Sequence, residues 1–110
     1  MAKYMVLFKY TDQTWAKMIS NPSDRLEAVR SSARSVGGDV ETMYYMFGAW
    51  DGFVVIDAPD SASAAAVSLA VSGSGALRDC ETHELIAPNE LPAVLERAAT
   101  AQGSYRPPGT

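Results

Sequence analysis

Residues 48–75, GAWDGFVVIDAPDSASAAAVSLAVSGSG, contain a turn, a strand and a helix in succession. Residues 48–52 combine glycines with Asp and turn the chain. Residues 53–57 predict a strand, because Phe53 is followed by the β-branched residues Val54, Val55 and Ile56. A Pro-Asp pair then opens a helix predicted over residues 61–72, which a Gly-Ser-Gly run ends. The many alanines of this helix give it a smooth surface that can lie close to a sheet.

Three further segments of the chain predict strands. Residues 3–10 alternate between two sides, and residues 39–47 are rich in Thr, Tyr and Phe. Residues 77–86 carry several charged side chains, which is typical of an outer strand because charge discourages stray pairing at a sheet edge.

Two more helices are predicted between and after these strands. The clearest begins at Asn21-Pro22, where Asn caps the helix and Pro suits its first turn, and it ends at Gly37-Gly38. A short amphipathic helix begins at Pro88-Asn89. We therefore expect one domain over residues 1–100 and a flexible tail over residues 101–110.

The order of elements is βαββαβ followed by a C-terminal helix, which predicts a ferredoxin-like α+β fold with a four-stranded antiparallel sheet. Strands one and three are central in this topology, and residues 5–8 and 53–56 are indeed apolar on both sides. Two helices cover only one face of such a sheet, so the other face would expose apolar area. Either the C-terminal helix covers it or a second copy does. Because Leu91, Val94 and Leu95 form a small apolar surface, we favour a homodimer that packs sheet against sheet.

Composition and charge exclude several classes of protein. The 110 residues include nine Lys and Arg and thirteen Asp and Glu, which gives a net charge of −4, and they contain no basic run. Nucleic-acid backbones and anionic membrane surfaces both select clustered cations, so we expect neither as a partner. Cys80 is the single cysteine, and one Cys with one His cannot supply the four ligands of a structural zinc site.

The N-terminal apolar stretch is interrupted at Lys9, too early for a signal-peptide core or a membrane span, so a cytoplasmic protein is expected. The sequence contains no phosphate-binding loop and no dinucleotide fingerprint. We therefore predict that the protein uses no cofactor and no metal.

Several short motifs resemble those of GYD-domain proteins. They are Tyr10–Gln13 after the first strand, Arg25–Ala28 and Gly37-Gly38 in and after the first helix, and Gly48–Asp51 with Ala58–Asp60 around the third strand. The resemblance covers about residues 3–86 and implies the dimeric α+β barrel type of ferredoxin-like fold. That superfamily includes cofactor-independent monooxygenases, isomerases and cyclases. Two departures stand out: Trp50 replaces the signature Tyr, and Thr14 stands where Gly is usual.

His83 is one candidate for a catalytic base, because its ordinary pKa lies near neutrality. On a strand it shares a face with Glu81 and Asp79, and a neighbouring carboxylate would fix its tautomer. The alternative is that these residues simply form a solvated, charged edge.

Asp51 is the second catalytic candidate, and the resemblance supports it. A carboxylate beside the indole of Trp50 would be partly desolvated, which raises a carboxyl pKa and suits proton transfer. The alternative is that Asp51 and Gly52 form the hairpin turn, since Asp-Gly is a preferred turn pair.

Aromatic residues are the predicted substrate-binding group. If the register of the first strand holds, Tyr4, Phe8 and Tyr10 line the helix-free face together with Tyr44 or Tyr45. Trp50 and Trp15 complete the predicted set, which consists of Tyr4, Phe8, Tyr10, Trp15, Tyr44, Tyr45 and Trp50. An aromatic stripe at strand spacing is also typical of a core or of a dimer interface.

These features favour a small-molecule-binding protein. The first hypothesis is a cofactor-independent isomerase, cyclase or monooxygenase that moves a proton on a hydrophobic aromatic or polyketide-like substrate, with His83 or Asp51 as the base. The alternative is a dimerisation or ligand-binding module without turnover.

Overall fold

The computed structural model describes residues 1–110 and contains eight elements, which in chain order are β1 (Ala2–Tyr10), α1 (Asp12–Ser20), α2 (Arg25–Ser35), β2 (Asp39–Tyr45), β3 (Gly52–Ala58), α3 (Ser61–Gly73), β4 (Leu77–Leu85) and α4 (Leu91–Ser104). The four strands form one antiparallel sheet in the order β2-β3-β1-β4. β1 and β3 are therefore central, and the predicted ferredoxin-like fold is confirmed.

The connection between β1 and β2 contains two helices where the sequence predicts one. The sequence predicts that Thr11-Asp12-Gln13 interrupts the strand pattern without starting a helix. In the structure Thr11 caps α1, because its Oγ1 accepts a hydrogen bond from the Thr14 backbone N–H at 3.2 Å. A threonine followed by an acidic first turn is a typical N-terminal signal. The extra helix places Trp15 and Met18 at the end of the sheet.

The predicted start of the next helix at Asn21-Pro22 is wrong by three residues. The Asn21 backbone N–H closes α1 by donating to the Lys17 carbonyl at 2.8 Å. Asp24 caps α2 instead, because its Oδ1 accepts from the Glu27 backbone N–H at 3.1 Å.

The helices α2 and α3 cover the face of β1 that carries Tyr4, Val6, Phe8 and Tyr10, all of them buried. Tyr4 and Val6 belong to one core cluster with helix residues such as Ala64. The prediction that Tyr4, Phe8 and Tyr10 line the helix-free face is therefore wrong. The physical reason is that β1 carries apolar residues on both sides, so its pattern does not indicate which side the helices cover.

We call the opposite side of the sheet the helix-free face. Its apolar centre consists of Met5 and Leu7 from β1 with Phe53 and Val55 from β3. The helix α4 does not cover it, since every residue of that helix is exposed and the molecule is elongated, 59 × 34 × 22 Å. Of this apolar centre, one chain alone buries Val55 and leaves Met5, Leu7 and Phe53 partly exposed. None of the four helices combines the length and the apolar character needed to cross a bilayer.

Candidate functional site

A cavity of about 240 Å³ lies between the sheet and the helices α2 and α3. Its walls are largely apolar and come from both layers, with Val6, Phe8, Val54 and Ile56 on the sheet and Val67 and Val71 on α3. The cavity is partly open to solvent, because Ala28 and Ala70 in its lining are exposed. The small side chains of α3, including Ala70, leave this space unfilled.

Four aromatic rings meet at one end of this cavity, and we call them the aromatic cluster: Phe8, Tyr10, Trp15 and Tyr45. Ring centroids lie 5.2 Å apart for Phe8 and Tyr10 and also for Tyr10 and Trp15. Tyr45 closes the group at 5.9 Å from Phe8 and 6.4 Å from Trp15. These separations are those of interacting rings. Four of the seven predicted binding residues are therefore brought together, on the side of the sheet that the helices cover.

The carboxylate of Asp51 holds the aromatic cluster in position. Its Oδ2 accepts one hydrogen bond from the Trp15 indole Nε1 at 3.0 Å and another from the Tyr10 backbone N–H at 2.9 Å. The Asp51 backbone N–H donates to the Phe8 carbonyl at 2.9 Å. Asp51 thus links α1 and the end of β1 to the start of β3 through hydrogen bonds. This structural role differs from both the turn-forming and the catalytic role that the sequence suggests.

Gly52 serves packing rather than the turn. The chain reverses in the loop before it, where Gly48 has φ of 137°, and Gly52 itself lies in β3. A Cβ at Gly52 would lie 2.5 Å from Cζ of Phe8 and 2.7 Å from the carbonyl oxygen of Tyr44. The absence of a side chain is what lets the Phe8 ring lie against this position of β3. The alternative reading of Asp51-Gly52 as the hairpin turn is therefore wrong.

Two phenols form a polar pair at the rim of the aromatic cluster. The hydroxyls of Tyr10 and Tyr45 are 3.4 Å apart. Burial raises the pKa of Tyr45 well above its usual value, and the contact with Tyr10 raises it further. A phenol can both donate and accept a hydrogen bond, and Tyr45 borders the outer cleft beside Trp15 and Met18.

The other predicted site residues lie apart from the cavity. His83 stands on the helix-free face opposite Met5, about half exposed, with its Nε2 at 3.5 Å from Glu81. The sheet separates it from the cavity. Tyr44 is on the same face, where its ring packs against Phe53 at 5.8 Å. Trp50 is half-buried in the β2–β3 loop.

Tyr4 is buried on the helix side, but away from the aromatic cluster. It pairs with Ile56 across the sheet and borders a separate cleft beside α3. Burial raises the pKa of its phenol, and the nearby Glu84 raises it further. Its role in this structure is to pack the core.

Arg25 is the site residue that the sequence reasoning missed. It borders the cavity and also two neighbouring outer clefts of about 390 and 500 Å³. The helical pattern assigns it to the solvent side together with Arg30 and Arg34. A signal is present: Ala28 and Val29 stand three and four positions later, so Arg25 has no acidic partner at the spacings that face each other on a helix.

Comparisons with known proteins agree with this architecture. MtbAldR, a solved structure, superposes with a TM-score of 0.57 at 15% identity, over 78% of this chain and 53% of its own. TTHA0845 from Thermus thermophilus gives a TM-score of 0.52 at 15% identity, over 79% of this chain and 95% of its own. The hypothetical protein PHS023 from Pyrococcus horikoshii gives a TM-score of 0.50 at 11% identity, over 79% of this chain and 92% of its own. These likenesses show the fold alone, and this chain spans about half the length of MtbAldR.

The fold and the strand order define a ferredoxin-like α+β protein. The sequence profile of the GYD domain matches residues 4–95, which is most of the chain. The protein therefore belongs to the GYD domain family, as the resemblance of its motifs predicted. A search of curated proteins finds no significant match.

Proposed function

We propose that this protein binds a small hydrophobic molecule in the cavity between the sheet and the helices α2 and α3. The observation that carries the proposal is the cavity itself, about 240 Å³ with mainly apolar walls. A buried apolar cavity of about 150 Å³ is large enough to bind benzene. The cavity described here therefore has room for a substituted ring or for two fused rings.

The aromatic cluster supports an aromatic occupant in particular. Phe8 and Tyr10 line the cavity directly, and Trp15 packs against Tyr10 at an interplanar angle of 87°. Aromatic rings prefer such edge and offset contacts with one another, so a ring-bearing ligand would extend the cluster. The Tyr10 hydroxyl adds one polar contact at its rim.

That the protein also converts its bound molecule chemically is a prediction separate from binding. A base for proton transfer must come within hydrogen-bond reach of the substrate. Of the two predicted bases, Asp51 is the nearer, since it contacts Tyr10 and Trp15. His83 lies on the helix-free face, so it could act as a base only in a second site on that face.

Filling the cavity tests the binding proposal. The Val71→Phe variant places a ring in the space between α3 and the sheet, whereas Ala66→Phe adds the same ring on the exposed side of α3. Isothermal titration calorimetry with 2-naphthoate and 2-naphthalenemethanol then compares both variants with the wild-type protein. We expect binding to be lost in Val71→Phe and kept in Ala66→Phe. Equal binding by both variants would place the ligand elsewhere.

We further propose that two copies associate through their helix-free faces. Met5, Leu7, Phe53 and Val55 form a contiguous apolar centre, and charged residues such as Lys3 and Glu81 surround it. An apolar centre inside a polar rim is typical of a protein–protein interface, and a second copy presents the same surface. The α4 helix leaves this face free.

The test of self-association is the mass of the protein in solution. Leu7→Glu places a carboxylate in the centre of the helix-free face, and Leu69→Glu places one on the outer side of α3, where Leu69 is exposed. Sedimentation equilibrium should show a dimer for the wild type and for Leu69→Glu and a monomer for Leu7→Glu. A wild-type monomer at micromolar concentration would contradict the proposal.

A further inference from the structure

Arg25 is the single charged residue among the seventeen that line the cavity. The rest of the lining is apolar except for a few serines and the Tyr10 hydroxyl. A cation beside an apolar ligand site is costly once the ligand displaces water, because the guanidinium then loses its hydration without gaining a partner. Its presence there is therefore informative about the ligand.

The Arg25 guanidinium also has no acidic partner within the protein. Arg30 and Arg34 both pair with Asp39, at 3.6 and 3.3 Å, and Arg78 pairs with Asp12 at 2.8 Å. No carboxylate lies within ion-pair distance of Arg25. The adjacent Asp24 is engaged as the cap of α2.

The outer cleft of about 500 Å³ next to the cavity is also lined by positive charge. Its lining includes Lys17 and Arg25 and no acidic residue, and its other walls are mostly short polar side chains such as Thr14 and Asn21. Tyr10 and Arg25 border both this cleft and the cavity. A molecule that reaches from the cavity to the cleft thus passes from apolar walls to a positive, polar mouth.

We infer that the ligand is an amphiphilic carboxylic acid, with its ring in the cavity and its carboxylate on Arg25. This inference rests on the proposed function and names the class of molecule that the cavity selects. Arg matches a carboxylate with two parallel N–H···O bonds, a geometry that Lys does not reproduce. The carboxylate of the ligand then replaces the hydrogen bonds to water that the Arg25 guanidinium loses when the apolar part of the ligand fills the cavity.

The test compares two probes that share one ring system, 2-naphthoate and 2-naphthalenemethanol, by isothermal titration calorimetry. Wild-type protein should bind 2-naphthoate at least about tenfold more tightly than the alcohol. Arg25→Gln should remove that preference and leave the affinity for the alcohol within about twofold. Arg25→Lys should restore only part of it, and Arg97→Gln, on the exposed α4, should behave as wild type.

The outcomes separate the inference from the proposed function. If the wild type and Arg25→Gln bind both probes equally well, the carboxylate inference is wrong and the cavity remains a binding site. If Arg25→Gln weakens the acid and the alcohol to the same extent, Arg25 supports the structure of the cavity and does not recognise charge. If wild-type protein binds neither probe, the proposed function fails and the inference fails with it.

Discussion

Replacing Asp51 with Ala should detach the aromatic cluster from its support. The carboxylate accepts hydrogen bonds from Trp15 and from the Tyr10 backbone, at 3.0 and 2.9 Å. A hydrogen bond to a charged group contributes about 1.5–3 kcal/mol, and both bonds here are only partly buried. We therefore expect Asp51→Ala to lower the free energy of unfolding by about 2–4 kcal/mol. A domain with about 5–15 kcal/mol of stability would still fold.

Urea unfolding followed by far-UV circular dichroism measures this loss. Trp15→Phe keeps a ring in the aromatic cluster but removes the indole donor, and it should cost about 1 kcal/mol through that bond. In a double-mutant cycle the two substitutions should couple by about 1 kcal/mol, because they remove the same interaction. Asp12→Ala is the control: its side chain is exposed and pairs with Arg78 at the surface, so it should cost under about 0.5 kcal/mol.

A loss no greater than that of Asp12→Ala would refute the assignment of Asp51 as the support of the cluster. A coupling energy near zero would refute the Trp15 contact in particular. A further variant, Asp51→Asn, keeps a side-chain oxygen acceptor and should recover part of the stability that Asp51→Ala loses.

Three further predictions follow from local geometry. Gly52→Ala should lower the free energy of unfolding in urea by about 1–3 kcal/mol, because the added Cβ meets the Phe8 ring. Gly73→Ala, which has open space around it, should not lower it. Equal effects of the two variants would contradict the packing role of Gly52. Hydrogen bonds from Ser63 hold the pKa of Asp60 below its usual value, so this carboxylate stabilises the fold above about pH 4 and loses that contribution as the pH falls further. Asp60→Asn, which keeps the cap without titrating, should therefore show a flatter decline of Tm below that pH, and an unchanged pH profile would contradict this assignment. In Trp fluorescence, 2-naphthoate should change the emission of the wild type and leave that of Val71→Phe unchanged; a change in both would contradict binding in the cavity.

The topology is predictable from the sequence because each element carries a local signal. Hydrophobic alternation, the alanine-rich helix over residues 61–72 and the glycines at the ends of α2 and α3 are all signals that act over a few residues. The extra helix α1 escapes prediction because Thr11–Gln13 also fits a break after the strand, although Thr11 is a helix cap. The cap of α2 is misplaced from Asp24 to Asn21 for a similar reason, since both residues favour that position.

The site is harder to predict because it depends on which face the helices cover. The aromatic residues Phe8, Tyr10 and Tyr45 are correctly predicted as neighbours, but they are assigned to the wrong side of the sheet. Both sides of β1 carry apolar residues, and only tertiary packing decides which side the helices cover. Arg25 is missed because an unpaired cation is recognised from its surroundings, and those come from α1, α3 and the sheet together.

The most direct test of the binding site is a titration of methyl-labelled protein with 2-naphthoate, followed by NMR. The methyl groups of Val54, Val67 and Val71 line the cavity, and those of Leu7 and Val55 lie on the helix-free face. We predict that the first set shifts on addition of 2-naphthoate and that the second set does not. Shifts concentrated at Leu7 and Val55, or no shifts at any methyl group, would contradict a ligand site between the sheet and its helices.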